Sequence, residues 1–230
     1  MSRISYLKIE QQLSKPRLSR YLKATNKNKT KALRLYKNNL RVSRSFYPLL
    51  SIFEIVFRNN LNKVLISHFQ DNDWIINQQN GFMSDASLKQ SKYYLRGKVK
   101  SSIDSLKRNN TNITSGKIIA EQTLGFWTSL FKSHHFALLK GNILRAFPNR
   151  PKGYKRDDIY RELKKINDFR NRIYHYEPIC FLGNKINFSS TIDDHKSILE
   201  VLTWLDSSSL SWIKDLDDVL LEIKKAKSFL

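Results

Sequence analysis

The apolar positions of this chain predict helices. Leu50, Phe53, Phe57, Leu61, Val64 and Leu65 recur at three- and four-residue spacing, which aligns them on one face of a long helix over 46–68. Upstream, residues 1–45 read as short basic helices around Pro16 with a polar break at Asn26–Thr30. The stretch 71–84 is loop-like. Ser84 or Asp85 offers a cap for a helix running to Arg108, where Asn109–Asn112 breaks it. Two further helices are expected over 116–133 and 135–147, the second stopped by Pro148. Asp157 or Asp158 favours the start of a helix reaching Tyr176, and Pro178 forbids its continuation. One segment, 179–188 (ICFLGNKINF), departs from this pattern and predicts a small β-hairpin turning at Gly183–Asn184. Helices over 192–206 and 209–228 close the chain. The expected fold is all-α: a helical bundle domain over 46–230, with a basic helical N-terminal portion over 1–45 packed on it and a small β-hairpin.

Composition agrees with this picture and adds a partner. Only 7 Gly and 5 Pro punctuate 230 residues, too few for a many-stranded sandwich, while 40% apolar residues supply a core. The net charge of +21 demands a polyanion or self-repulsion, and nucleic acid is the usual partner. An anionic membrane surface is the competing reading. It is disfavoured because the aromatics sit beside apolar helical positions rather than forming a separate insertion face. The charge is uneven: residues 1–45 carry 13 bases against Glu10 alone, whereas 191–230 carry 8 acids and 5 bases. Lys15, Arg17, Arg20, Lys27, Lys29, Lys31, Arg34, Arg41 and Arg44 are therefore candidate phosphate contacts, with a merely solvated face as the alternative. The single cysteine, Cys180, excludes an internal disulfide and fits a reducing cytoplasm. The first residues lack the apolar core of a signal peptide, and the longest apolar stretch, 46–57, is too short to span a bilayer. A cytoplasmic protein is expected, with no membrane association.

The helix over 158–176 carries the chemistry. Ile159, Leu163, Ile166, Phe169 and Ile173 gather on one face, and Arg170 projects near its middle. An unpaired guanidinium there is costly, so it must meet a carboxylate, a phosphate or another chain. Asn171 and His175, four residues apart, share the neighbouring face. An arginine can stabilise charge building on a phosphate, an imidazole can take or give a proton near neutrality, and an amide can fix either. RNA is the natural substrate, because its own 2′-hydroxyl can attack the adjacent phosphorus without metal or cofactor. The spacing alone is weak evidence: with 15 Arg and 5 His it arises often by chance, and His175 could simply suit the negative end of a helix.

The wording around the motif is more specific. Residues 170–179 (RNRIYHYEPI) resemble the RN-x3-H…EP-I signature of Abi-like abortive-infection proteins of the HEPN superfamily. Residues 124–131 (LGFWTSLF) resemble the FGFWS-LF block of that family, and Glu54–Asn59 (EIVFRN) its E-x3-RN helix. The three blocks follow family order over 46–180. One departure is Tyr176, where a second histidine is common. The resemblance implies a HEPN-type helical bundle that dimerises and brings two Arg/His sets into one cleft. It further implies a metal-independent endoribonuclease of phage defence or a toxin–antitoxin system, leaving 2′,3′-cyclic phosphate and 5′-hydroxyl ends and restrained in some members by a non-coding RNA. Arg170, Asn171 and His175 carry over as the catalytic set. Glu54, Arg58, Asn59 and Glu177 are supporting or structural candidates, and Arg172 is a further RNA contact. The alternative is a non-catalytic RNA-binding module using the same motif for phosphate contact or dimerisation.

The remaining polar clusters read as structural. Phe126 and Trp127 are expected in the core. His134-His135 and Asp193-Asp194-His195 lack a third ligand group and read as surface residues rather than metal ligands. Cys180 falls in the hairpin and reads as core rather than nucleophile.

Overall fold

The computed structural model describes residues 5–228, and within them the fold is all-α with one two-stranded hairpin. The chain divides into two compact units, 5–51 with 168–198 and 212–228, and 52–167 with 199–211. Among the described residues no helix is long and apolar enough to cross a membrane.

The first unit opens with α1 (Tyr6–Leu13), capped by Ser5 Oγ accepting from Lys8 N at 3.3 Å. Helix α2 (Lys15–Ala24) follows, with Pro16 in its first turn, where no amide hydrogen is needed. Helix α3 (Lys29–Ser45) is capped by Asn28 Oδ1, which accepts from Lys31 N at 3.0 Å. These are the short basic helices expected over 1–45, and the break between α2 and α3 is the expected polar one. Against α3 lie α2 and the C-terminal α13 (Val219–Lys227). Leu18, Tyr21, Leu35, Val42, Val219 and Ile223 are buried here. The Tyr21 ring meets Tyr36 and Phe181 edge-on at 5.2 and 5.4 Å, and its burial raises the pKa of its hydroxyl. The hairpin pairs β1 (Phe181–Leu182) with β2 (Lys185–Ile186) antiparallel. Gly183 turns it at φ +57°, a conformation other residues adopt at a cost.

The second unit holds most of α4 (Tyr47–Phe69), the long helix expected over 46–68. Phe53, Phe57, Leu61 and Leu65 of this helix are fully buried, as the spacing predicted. Phe57 meets Phe147 at 5.9 Å and Phe131 at 6.3 Å. Phe126 and Trp127 are core residues, as expected.

Between α4 and residue 147 the structure corrects the sequence reading. The stretch 71–84 contains a short helix, α5 (Trp74–Asn77), and a 3₁₀ turn at Phe82–Ser84. Asp85 does cap, but what it caps is a 3₁₀ turn over Ala86–Ser91, its Oδ1 accepting from Ser87 N at 2.9 Å. Lys92 and Tyr93 then take left-handed conformations (φ 51° and 50°), and α6 begins only at Tyr94, ending at Arg108. The pair of helices expected over 116–147 is four shorter pieces: α7 (Ser115–Glu121), α8 (Leu124–Ser129), α9 (Ser133–Leu138) and a 3₁₀ turn over Asn142–Ala146. Extended Gln122 and Thr123 separate the first two, and left-handed Lys140 and Gly141 precede the last.

Downstream, α10 runs Arg156–Tyr174 and α11 Ser189–Leu205. The last expected helix, 209–228, is divided into α12 (Ser208–Ile213), a 3₁₀ turn over Lys214–Leu216 and α13. Asp217 interrupts it with non-helical backbone, φ −90° and ψ 86°.

Candidate functional site

The two ends of α10 are built differently. Asp157 and Asp158 occupy its first turn, where carboxylates suit the positive end of the helix dipole. At the other end a Schellman turn closes the helix: Glu177 N donates to Arg172 O at 2.8 Å and Tyr176 N to Ile173 O at 3.0 Å. This geometry requires a left-handed residue, and Tyr176 fills the position at φ 58°. His175 is the residue between helix and turn, its backbone N still donating to Asn171 O at 2.8 Å. The imidazole is thereby carried at the helix terminus on an exposed residue.

Arg170 is half-buried, with its guanidinium carbon 3.9 Å above the centre of the Tyr174 ring. Its Nη1 donates to Asn171 Oδ1 across 3.4 Å, a long bond that orients the amide as much as the guanidinium. Ile159, Leu163, Ile166 and Phe169 of the expected apolar face are buried, while Ile173 in the last turn is only half-buried. Arg170, Asn171 and His175 are thus gathered at one helix end, with an aromatic shelf at Tyr174 that sequence reasoning did not single out.

The segment after His175 is fastened from several directions. Arg172, read from sequence as an RNA contact, turns back along the chain: its Nη2 donates to Pro178 O at 2.8 Å and its Nε lies 3.9 Å from Glu177 Oε2. From α2, Arg17 Nη1 donates to Tyr176 O at 2.7 Å. Arg20 Nη2 donates to Gly183 O at 2.5 Å, with its guanidinium 4.4 Å over Phe181. From α3, the buried Asn39 accepts from Ile179 N at 2.8 Å, while Thr191 Oγ1 donates to Ile179 O at 2.5 Å. Asn39 carried no signal in the sequence, since a buried amide gripping a distant backbone has no local pattern.

All nine basic residues proposed for the N-terminal portion are exposed. Besides Arg17 and Arg20, Arg41 donates to Asn38 Oδ1 at 3.1 Å, and Lys29 sits 5.5 Å over Tyr6. In the second unit, Glu54 and Arg58 of α4 are half-buried and Asn59 is exposed. Arg58 Nε is buried with no hydrogen-bond partner, an unsatisfied donor of the kind that costs about 1–3 kcal/mol.

Of the two clusters expected at the surface, His135, Asp194 and His195 are buried instead, while His134 is half-buried and Asp193 is exposed as expected. His135 is completely buried, and its Nδ1 lies 2.7 Å from Ser129 O, so that nitrogen carries the proton. Burial lowers its pKa to about 4, leaving a neutral ring whose Nε2 has no partner. Asp194 and His195 are also buried, because α11 turns this face inward, and His195 Nε2 meets Asp217 Oδ2 at 2.7 Å. Burial alone would raise the Asp217 carboxyl; the hydrogen bond and charge of His195 outweigh it and hold the group below the usual carboxylate range. Among the described residues no group of three His, Cys, Asp or Glu is placed to hold a metal ion. Cys180 is buried and its thiol is pushed up to about 12, the behaviour of a core residue. Compared with known families, curated proteins and solved structures, the chain matches none.

Proposed function

We propose that this protein binds RNA and cleaves it without a metal, using Arg170, Asn171 and His175. One observation supports the reading above all: a ring-stacked, half-buried guanidinium and an exposed imidazole share one helix end in a chain of charge +21. In the proposed reaction a ribose 2′-oxygen attacks the adjacent phosphorus and the P–O5′ bond breaks. The 2′-hydroxyl proton passes to a base, and the 5′-oxygen receives one from an acid. Arg170 donates to the phosphoryl oxygens as charge builds on them, and Asn171 holds the guanidinium in place. One motif histidine per chain can be base or acid at a given moment, so the proposal includes a second copy whose His175 takes the other role. The resemblance of 170–179 to Abi-like HEPN proteins extends it to a phage-defence or toxin role restrained by a partner RNA.

A second reading, RNA binding without cleavage, draws on the engagement of Arg170 by Tyr174 and Asn171, which suits a fixed phosphate clamp equally well. The two separate on one experiment. Purified protein is incubated with RNA in excess EDTA. Cleavage that stops in His175→Ala supports the nuclease; intact RNA retained in a salt-sensitive complex supports the clamp. Cleavage abolished by the chelator, or unchanged in His175→Ala, rejects the mechanism.

A further inference from the structure

The charge of α2 suggests phosphate contacts, yet one of its arginines is committed elsewhere. Arg17 lies 159 positions from Tyr176 in sequence and donates to its carbonyl at 2.7 Å. Tyr176 is the left-handed residue of the turn that ends α10, immediately after His175. A tyrosine resists this conformation where glycine would not, so the turn is held partly against local preference. The carbonyl that Arg17 holds belongs to the peptide unit next to the one that links His175 to Tyr176. Fixing it limits rotation about the left-handed residue and hence the direction in which the preceding imidazole leaves the helix. Arg172 fastens the carbonyl two residues further on, that of Pro178, from within α10 itself.

We infer that Arg17 is a positioning residue for His175, acting through the Tyr176 carbonyl rather than on the RNA backbone. The inference rests on His175 being the proton-transfer group of the proposed reaction, but the contact can be tested apart from that reaction. If Arg17 positions His175, Arg17→Ala slows single-turnover RNA cleavage by about 10- to 100-fold, the scale of an ångström misplacement. RNA affinity and its salt dependence stay unchanged. Arg17→Lys, which keeps one donor, recovers part of the rate. Lys23→Ala, the loss of one exposed positive charge from the same helix, leaves the rate as it was. In isotope-labelled protein the His175 ring resonances shift in Arg17→Ala and return toward the native position in Arg17→Lys.

A phosphate contact at Arg17 gives the opposite pattern. RNA affinity falls, the slope of log affinity against log salt shrinks by about 0.7 for a single strand, and both the single-turnover rate and the His175 resonances hold. That result overturns the inference. Should the native protein cut no RNA at all, the nuclease proposal fails, and the resonances still decide about Arg17: a shift supports positioning and no shift rejects it. Circular dichroism establishes that each variant is folded, and Arg17→Lys carries the test if Arg17→Ala is not.

Discussion

His135 and His175 place the same side chain in opposite situations. His135 sits in α9 within the second unit, fully buried, one nitrogen bound to a carbonyl and the other left without a partner. His175 sits on the turn that ends α10 in the first unit, exposed and five residues from a ring-stacked arginine. Burial without a counter-charge makes protonation costly, so His135 is locked neutral and serves packing. Exposure at the helix end that also carries Arg170 leaves an imidazole reachable by a polyanion. Residue type alone does not separate these roles; local burial does.

Four changes would break or sharpen that contrast. The largest effect is expected from His175→Ala. RNA cleavage should fall by about 100- to 10,000-fold, the usual worth of a general acid or base, while urea unfolding moves by less than about 0.5 kcal/mol, as for exposed sites generally. His135→Ala should do the reverse. Loss of a buried ring and of the Ser129 carbonyl's partner destabilises by about 3 kcal/mol, with the cleavage rate per folded molecule unchanged.

Acid sharpens the same point. The folded-state pKa of His135 lies at about 4 and the ordinary value is 6.5. Above pH 6.5 the ring is neutral folded or unfolded, and its contribution is intact. Between those values the unfolded chain binds the extra proton, so stability declines by roughly 3 kcal/mol and levels off below the lower one. Unfolding curves of the native protein and His135→Asn, compared across that window, should converge toward acid pH. The smallest effect is Tyr176→Gly. It relieves a left-handed residue that is 70% exposed and so loses little packing, and it should raise stability by up to about 1 kcal/mol. The freer turn should slow cleavage.

Where the sequence was legible, the signal was local and continuous. Helix α4 and helix α10 each carry an apolar stripe at helical spacing, and the hairpin has a glycine where φ must be positive. All three stand where expected. The broken stretches between 85 and 147 were misread because their interruptions use Lys92, Tyr93 and Lys140 in left-handed backbone and Gln122 and Thr123 in extended backbone, residues that mark no turn in a sequence. Only tertiary packing selects such conformations. The same division runs through the candidate site. Arg170, Asn171 and His175 share one helix end and could be picked out by spacing. Arg17, Arg20 and Asn39 reach the following segment from far away in the chain, contacts that no local pattern announces. The burial of His135 and His195 was hidden for a related reason, since it depends on packing that no local pattern marks, and the partner of His195 is Asp217, 22 residues on.

The central claim is that the RNA supplies its own nucleophile to an Arg170–His175 site. The most direct measurement follows an RNA oligonucleotide and its 2′-deoxy counterpart with the native protein in EDTA, with the ends of every fragment identified. The account predicts that both are bound, that only the RNA is cut, and that the fragments end in 2′,3′-cyclic phosphate and 5′-hydroxyl. Cutting of the 2′-deoxy strand, or fragments bearing 5′-phosphate, would contradict it.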